Sequence, residues 1–135
     1  MANKSIKKPK RYDIDATDKS LGRLATEVAT LLRGKNEVNY LPYLDPMITV
    51  RVFNFNKIVL TGKKASQKIY YHYTGYPGGL KKVKYSDLIK KDSSRALRLA
   101  VLRMLHKNRL RAKLVKRLII ATPSGGHPKG EKIIK

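Results

Sequence analysis

Hydrophobic and polar positions follow two different periods in the first half of the chain. Apolar residues recur at helical spacing from Leu21 to Leu32, and Gly34 follows as a residue suited to the left-handed end of a helix. Apolar and polar residues alternate from Ile48 to Val52, which predicts a strand with one face better buried than the other. A shorter strand is predicted from Tyr12 to Ala16, and the turn after it is rich in capping residues.

The second half contains shorter apolar runs and more helical patterns. Gln67 to Tyr73 is β-prone and aromatic, and it leads into a turn from Gly75 to Gly79. Leu118 to Ala121 is a short apolar run, typical of a strand covered on both faces. The order of elements predicts an α/β sandwich with a mostly parallel central sheet of about four strands. Helices are expected at about Ser86 to Lys91, Ser94 to Leu105 and Lys107 to Lys116.

Length and composition limit the domain organisation. A chain of 135 residues suits one domain, expected over residues 12–121, with basic extensions at residues 1–11 and 122–135. No apolar run reaches the length of a membrane helix, and residues 1–11 lack the apolar segment of a secretory signal. The absence of cysteine excludes disulfides and cysteine-ligated metal sites.

The net charge points to a polyanionic partner. Lysine and arginine number 31 against 9 acidic residues, a formal charge of +22. Such a domain repels itself unless a polyanion neutralises it, and nucleic acid or an anionic membrane could do so. Six of the nine acids lie between Tyr12 and Pro46, so the remainder of the chain is strongly cationic.

No arrangement of residues indicates catalysis. Gly62–Lys63–Lys64 lacks the upstream glycine and the following Ser or Thr of a phosphate-binding loop. The histidines at 72, 106 and 127 share no metal-ligand spacing. Asp13 and Asp15 lie on one face of a strand and could hold a divalent ion, although a strand end facing a turn or a basic neighbour is the favoured interpretation. We therefore expect neither an enzyme nor a cofactor.

The predicted helix from Lys107 carries the first binding feature. Leu110, Leu114 and Leu118 form one stripe, and three cations lie opposite it. A solvated helix face usually mixes both signs of charge, but no acid occurs between Ser93 and Gly130. The pattern therefore favours contacts to a nucleic-acid backbone over a merely solvated face. A helix that binds a membrane surface is expected to carry Trp or Phe beside its leucines, and this segment has neither. The three cations are Arg109, Lys113 and Lys116.

The aromatic stretch from Tyr70 to Tyr73, with Tyr76 after it, is the second feature. Lysines surround these rings, which combines stacking surface with phosphate neutralisation, as RNA sites commonly do. Glycines in the turn allow close approach of a ribose–phosphate chain. Alternate tyrosines could instead pack into the sheet, and we expect both, with one face of the strand in the core and the loop on RNA.

Several motifs occur in register over about residues 12–121. They are Leu21 to Ala25, Leu32 to Lys35, Lys57 to Lys64, Tyr70 to His72 with Gly75 to Leu80, and Lys107 to Leu110. Together they resemble the ribosomal protein L13 family in its bacterial form. Departures occur at Tyr12, where the family usually has tryptophan, at Arg103, where it has glycine, and at His106, where it has proline. They indicate a divergent lineage or an organellar copy.

This resemblance implies a three-layer α/β/α fold, binding to large-subunit ribosomal RNA and a role in early subunit assembly, in a cytoplasmic or organellar ribosome. It implies neighbours among the large-subunit proteins, namely those numbered three, twenty and twenty-one. It also implies a core that contains Leu21, Leu24, Val28, Leu31, Ile58, Val59 and Ile119, with Arg23 and Lys35 as secondary RNA contacts. Together with the binding features, it gives these expected RNA contacts: Lys63, Lys64, Lys68, Tyr71, His72, Tyr76, Gly78, Lys81, Lys107, Asn108, Arg109, Arg111, Lys113 and Lys116.

Two other functions remain open at this stage. The adjoining carboxyl-terminal helices faintly suggest a helix-turn-helix, so a free DNA- or RNA-binding regulator is one alternative. The other is an enzyme that uses Asp13 and Asp15 with a metal ion. Co-sedimentation with large subunits would distinguish the first, and calorimetry with magnesium or manganese would distinguish the second.

Overall fold

The computed structural model describes residues 9–121 and the backbone of a short strand at Ile133–Ile134. Most of the two predicted basic extensions, including His127, lies outside the described residues. None of the helices in the described part is long and apolar enough to cross a membrane. The strands are β1 (Lys10–Asp15), β2 (Ile48–Phe53), β3 (Ile69–Tyr73), β4 (Leu80–Lys84), β5 (Leu118–Ile120) and β6 (Ile133–Ile134). The helices are α1 (Leu21–Leu32), a 3₁₀ turn (Phe55–Lys57), α2 (Lys64–Gln67), α3 (Tyr85–Lys91), α4 (Ser93–Met104) and α5 (Arg109–Lys116).

A parallel sheet in the order β5-β2-β1-β6 forms the centre of the fold. Val50 of β2 lies opposite Tyr12 of β1 on one side and Leu118 of β5 on the other. Ile134 lies opposite Ile14, within the segment predicted as a tail. The prediction of a mixed α/β fold with a parallel sheet is therefore confirmed.

Helix α1 covers one face of this sheet and supplies much of the core. Leu24, Val28 and Leu32 are fully buried, as the helical spacing predicted, and α4 packs against α1 through residues that include Leu97. Gly34 ends α1 with a φ of 72°: its amide donates to the Leu31 carbonyl at 2.9 Å, and the next amide donates to the Thr30 carbonyl at 3.2 Å. These two bonds satisfy carbonyls that the helix leaves unpaired.

The opposite face of the sheet is more polar than the sequence indicated. Ile119 shares this face with Arg51, its partner on β2, and 46% of Ile119 is exposed. The prediction that β5 is covered on both faces, with Ile119 in the core, is therefore wrong. The reason is that α1 and α4 lie on the side of Leu118, which is buried, and β5 is an edge strand. Leu118 itself belongs to β5 and not to the helical stripe in which the spacing placed it.

Strands β3 and β4 form a separate antiparallel hairpin outside the central sheet. Only Tyr70 of β3 is buried, and its ring stacks on that of Tyr85 with centroids 6.5 Å apart. The tyrosines of β3 therefore do not pack into the central sheet, and β4 was not anticipated. Val59 is a second error in the expected core, because it makes a single bridge to Ser20 and remains 44% exposed.

Candidate nucleic-acid interface

The hairpin and the short helix before it present a mostly exposed stretch, here called the hairpin surface (residues 63–84), in which Tyr70 alone is buried. The register places Tyr71 opposite Lys82 and Tyr73 opposite Leu80, so these four side chains share one face of the hairpin. The Lys82 amine lies 5.9 Å from the centre of the Tyr71 ring. Tyr71 and Tyr73 are more than half exposed, so a cation and two aromatic faces are available together on the surface.

The turn of the hairpin holds Tyr76 away from the rest of the protein. The Thr74 amide donates to the Gly79 carbonyl at 3.2 Å, and the Gly79 amide donates to the Tyr76 carbonyl at 2.9 Å. Gly78 has a φ of 71°, a conformation that glycine adopts without strain, and a side chain there would meet no atom of the protein. Tyr76 is 76% exposed, so the predicted contact at the turn is accessible.

The lysines at the base of the hairpin keep their amines on the surface. The backbone carbonyl of Lys63 accepts bonds from Ser66 and Gln67, both at 3.1 Å, while the side chains of Lys63 and Lys64 are exposed. The carbonyl of Lys68 accepts a bond from the Tyr85 amide at 2.9 Å, which ties the hairpin to α3. In each case a backbone bond forms part of the fold. The amines of Lys63 and Lys64 remain available, whereas the side chain of Lys68 is half-buried.

Tyr70 connects the hairpin to α4. The Lys68 amine lies 5.3 Å and the Arg103 guanidinium 5.5 Å from the centre of the Tyr70 ring. Burial raises the pKa of the Tyr70 hydroxyl above its ordinary value of 10.0, although the positive charge of Arg103 opposes that rise. His72 and Lys81 lie opposite each other on the same face of the hairpin as Tyr70, farther along the strands, and both are exposed.

Helix α5 forms a second cationic surface. Leu114 is buried, whereas Arg109, Lys113 and Lys116 are exposed, so the predicted division of this helix into two faces is confirmed. Asn108 begins the helix: its side-chain oxygen accepts a bond from the Arg111 amide at 3.0 Å. That bond gives Asn108 a structural role as the helix cap. Lys107, just before the cap, is exposed, and Arg111 is half-buried.

An ion pair fixes the end of α5. Both Arg117 guanidinium nitrogens donate to the Asp45 carboxylate, with Nη2 at 2.6 Å from Oδ2. The bonds from Arg117 hold the pKa of the Asp45 carboxyl below its ordinary value of 3.8, against the opposing effect of burial. The pair therefore joins the end of α5 to the loop that precedes β2.

The expected RNA contacts fall into two groups with separate supports. The hairpin surface contains Lys63, Lys64, Lys68, Tyr71, His72, Tyr76, Gly78 and Lys81, and it rests on α3. The second group, from Lys107 to Lys116, rests on α4 and β5. Sequence reasoning left Tyr73, Lys82 and Lys84 out of the expected contacts. The Gly-rich turn after β3 is the signal of a hairpin in this segment, and it would have placed Lys82 and Lys84 opposite β3.

The two aspartates of β1 lie against other parts of the protein. Asp15 accepts bonds from the Thr17 hydroxyl at 2.7 Å and from the Asn54 amide at 3.0 Å. Asp13 is buried. Within the described ranges no group of three or more His, Cys, Asp or Glu residues could hold a metal ion. The arrangement at Asp15 matches a strand end that faces a turn.

Comparison with known proteins identifies the family. The family model described as "Ribosomal protein L13" matches residues 10–122. "Large ribosomal subunit protein uL13" of Chloroflexus aggregans is 52% identical over 117 residues, which is 86% of this chain and 82% of the relative. Its counterpart in Thermotoga petrophila is 49% identical over 119 residues, 87% of this chain and 80% of the relative. A third, from Natranaerobius thermophilus, is 50% identical over 109 residues, 81% and 76% of the two chains. A match over nearly the whole domain, with relatives at about half identity, shows that this chain belongs to the ribosomal protein L13 family.

Proposed function

We propose that this chain is a structural constituent of the large ribosomal subunit that binds large-subunit ribosomal RNA through the hairpin surface and α5. The observation that carries the proposal is the exposed Tyr71 paired with Lys82 on the hairpin, with the exposed Tyr73 on the same face, in a chain whose relatives are named as large-subunit proteins. The family is one of structural ribosomal proteins, so the chain is not an enzyme. Its relatives are bacterial, which makes the ribosome concerned the cytoplasmic one.

The chemistry of the two surfaces suits RNA where helices meet loops. Lysine and arginine neutralise phosphates and release counterions, and this supplies affinity without reading sequence. Exposed tyrosine rings stack on unpaired bases, which are more available in ribosomal RNA loops than in duplex. The hairpin surface offers both kinds of contact, and α5 offers cations alone. Binding of this kind would hold RNA segments together early in subunit assembly.

Neighbouring proteins should meet a different part of the surface. Residues 36–50 contain no lysine or arginine, and they include two acids, Glu37 and Asp45, that are already paired with Lys10 and Arg117. Val38 is fully exposed and Tyr43 is 72% exposed in the same loop. A segment without lysine or arginine, whose two acids are already ion-paired and which exposes apolar and tyrosine side chains, is unsuited to phosphates and typical of protein interfaces. We assign it to contacts with other large-subunit proteins, those numbered three, twenty and twenty-one being the expected neighbours.

The finer organisation of the domain is part of the same proposal. Residues 12–121, together with the strand at Ile133–Ile134, would form a three-layer α/β/α sandwich with a mostly parallel central sheet of about four strands. The lysines of residues 1–11 and 122–135 would add to the charge that binds RNA.

Two experiments test the proposal: one measures which nucleic acid the chain prefers, and the other measures whether the chain sediments with large ribosomal subunits. The full chain should bind large-subunit ribosomal RNA in filter assays and resist competition by equal masses of small-subunit ribosomal RNA or duplex DNA. It should also sediment with large subunits after a high-salt wash. Equal competition by all nucleic acids, with release at high salt, would instead indicate a free regulator. Tight binding of magnesium or manganese to the free protein in calorimetry would revive the metal-enzyme alternative.

A further inference from the structure

A wide groove between α1, α2 and α4 adjoins the hairpin surface. The expected contacts Lys64 and Lys68 and the secondary contact Arg23 line its rim, but the groove itself was not expected from the sequence. It measures about 1390 Å³. Its floor is apolar: Leu21, Leu60 and Ala100 lie along it, and Val59 and Met104 are 44% and 40% exposed. Pockets for single small molecules usually measure about 300–1000 Å³. The size of this groove therefore suits a polymer better than one metabolite.

Cations surround the apolar floor. Lys19 is paired with Glu27 at 2.9 Å, but Arg23, Lys64, Lys68 and Arg103 form no salt bridge with an acid in the part of the chain that the structure describes. A groove with a positive rim and an apolar floor matches a nucleotide, which joins an anionic phosphate to a flat apolar base. A protein segment would not require this excess of positive charge.

The amino terminus of α1 opens into the groove. Ser20 precedes the helix without a side-chain cap bond, and the first turn contains no acidic residue. The first-turn amides of Gly22 and Arg23 have no partner within the helix, and a side chain at Gly22 would meet no atom of the protein. Such a helix end, with its positive partial charge, attracts a phosphate.

Tyr70 provides an independent indication of a ligand. It lines the groove and is 8% exposed, yet its hydroxyl has no hydrogen-bond partner among the described residues. Buried hydroxyls are nearly always hydrogen-bonded, so this one requires an explanation. The side chains over its ring, Lys68 and Arg103, are long and can reorient when an anion enters. A phosphate or ribose oxygen would then accept the hydroxyl proton.

We propose that this groove binds an unstacked nucleotide of single-stranded RNA, with its phosphate at the amino terminus of α1 and its base on Val59 and Met104. The inference rests on the proposed RNA binding, and it adds a second type of contact to the hairpin surface. It predicts that the base lies against the methyl group of Met104. It also predicts that the Tyr70 hydroxyl contributes to RNA affinity and not to folding.

Methyl NMR of the full chain with labelled methionines tests the first prediction. Hexa-adenylate should shift the Met104 methyl signal upfield, because an adenine ring would stack over it. Met47 is a matched control: it is 48% exposed but lies in the loop before β2, so its signal should not move. Met47→Leu and Met104→Leu variants assign two of the three methionine signals, and the third belongs to Met1. Adenosine monophosphate should bind at least thirtyfold more weakly than the hexamer, and equal binding would identify a free nucleotide as the ligand and overturn the RNA assignment.

Tyr70→Phe tests the second prediction. The hydroxyl has no partner within residues 9–121, so its removal should leave the melting temperature unchanged or raised. Affinity for hexa-adenylate should fall roughly tenfold, as expected for a hydrogen bond to a charged group. Unchanged affinity, or an unmoved Met104 signal while ribosomal RNA still binds, would overturn the groove proposal and leave the proposed function intact. Failure of both RNAs to bind would instead refute the proposed function.

Discussion

Replacing Lys63 and Lys64 together by alanine isolates the contribution of the hairpin base to RNA binding. Neither amine supports the fold. Lys63 acts through its backbone carbonyl, and among the residues that the structure describes the Lys64 amine bonds to the Thr61 hydroxyl alone, at 3.5 Å. We therefore expect the double variant to keep its melting temperature to within a degree or two, since changes on an exposed surface usually cost little (about 0.5 kcal/mol or less). A change in RNA binding can then be attributed to the lost charges.

The size of the expected change in salt dependence follows from the release of counterions when lysines bind phosphates. Each neutralised phosphate contributes about 0.9 to the slope of log affinity against log salt, or about 0.7 on single strands. Loss of both contacts should flatten the slope by about 1.8 on duplex, and by about 0.9 if only one lysine touches a phosphate. Between about 50 and 200 mM salt, the larger change reduces the loss of affinity by about twelvefold.

The assay is a filter-binding titration of large-subunit ribosomal RNA at several salt concentrations. The matched control is Lys90→Ala with Lys91→Ala, which removes the same charge from an exposed adjacent pair at the end of α3. A position-specific contact flattens the slope only in the first variant. An unchanged slope in that variant, or equal flattening in both, would refute the assignment of Lys63 and Lys64 as RNA contacts.

Three further predictions concern the fold that supports these surfaces. Gly34→Ala adds a methyl group to a residue in the left-handed conformation, 2.8 Å from Pro46 Cβ. We expect calorimetry to show a melting temperature lower by about 4–8 °C, and an unchanged value would contradict strain at this position. Asn108→Ala removes a helix cap worth about 1 kcal/mol and should lower the melting temperature by about 4 °C. Asn108→Asp keeps the capping oxygen and should leave the melting temperature unchanged. Equal melting temperatures of the two variants would exclude a role for the side-chain oxygen. Because Arg117 lowers the pKa of the Asp45 carboxyl, the stability from this pair is fully present above the ordinary value of 3.8 and is lost as the pH falls through the lowered value. Asp45→Asn should therefore flatten the acid side of a melting-temperature profile recorded from pH 6 down to about pH 2, and parallel profiles would show that the pair contributes nothing.

Local patterns predicted the helices of this chain well. The spacing from Leu21 to Leu32, and the glycine after it, gave both the helix and its end, because periodicity and capping depend on neighbours in sequence. The errors concern contacts that are distant in sequence. Leu118 continued a helical stripe in spacing but lies in a strand, and Ile119 was expected in the core although no helix of the described part covers its face.

The hairpin surface, too, was predicted only as far as local sequence patterns allow. Tyr71 and the lysines before the hairpin were expected to touch RNA from their residue types and from the family resemblance, and these contacts stay predictions. Lys82 and Tyr73 were not among the expected contacts, because their position depends on the pairing of β3 with β4. Three of the five residues of β4 are lysine, a composition that suppresses the usual signal of a strand. Asn108 was expected to touch RNA, and only the structure shows the hydrogen bond that makes it a cap.

The order of strands in the central sheet has a consequence for how fast this chain folds. Val50 pairs with Leu118, about half of the chain away, and no hairpin helps the parallel strands to find one another. Pairings between distant segments place a protein among the slower folders, because the intervening chain must be ordered before those pairings contribute. Here that search takes place in a chain with 31 cations, whose mutual repulsion opposes compaction. We expect refolding in stopped-flow experiments to accelerate when salt or RNA screens these charges.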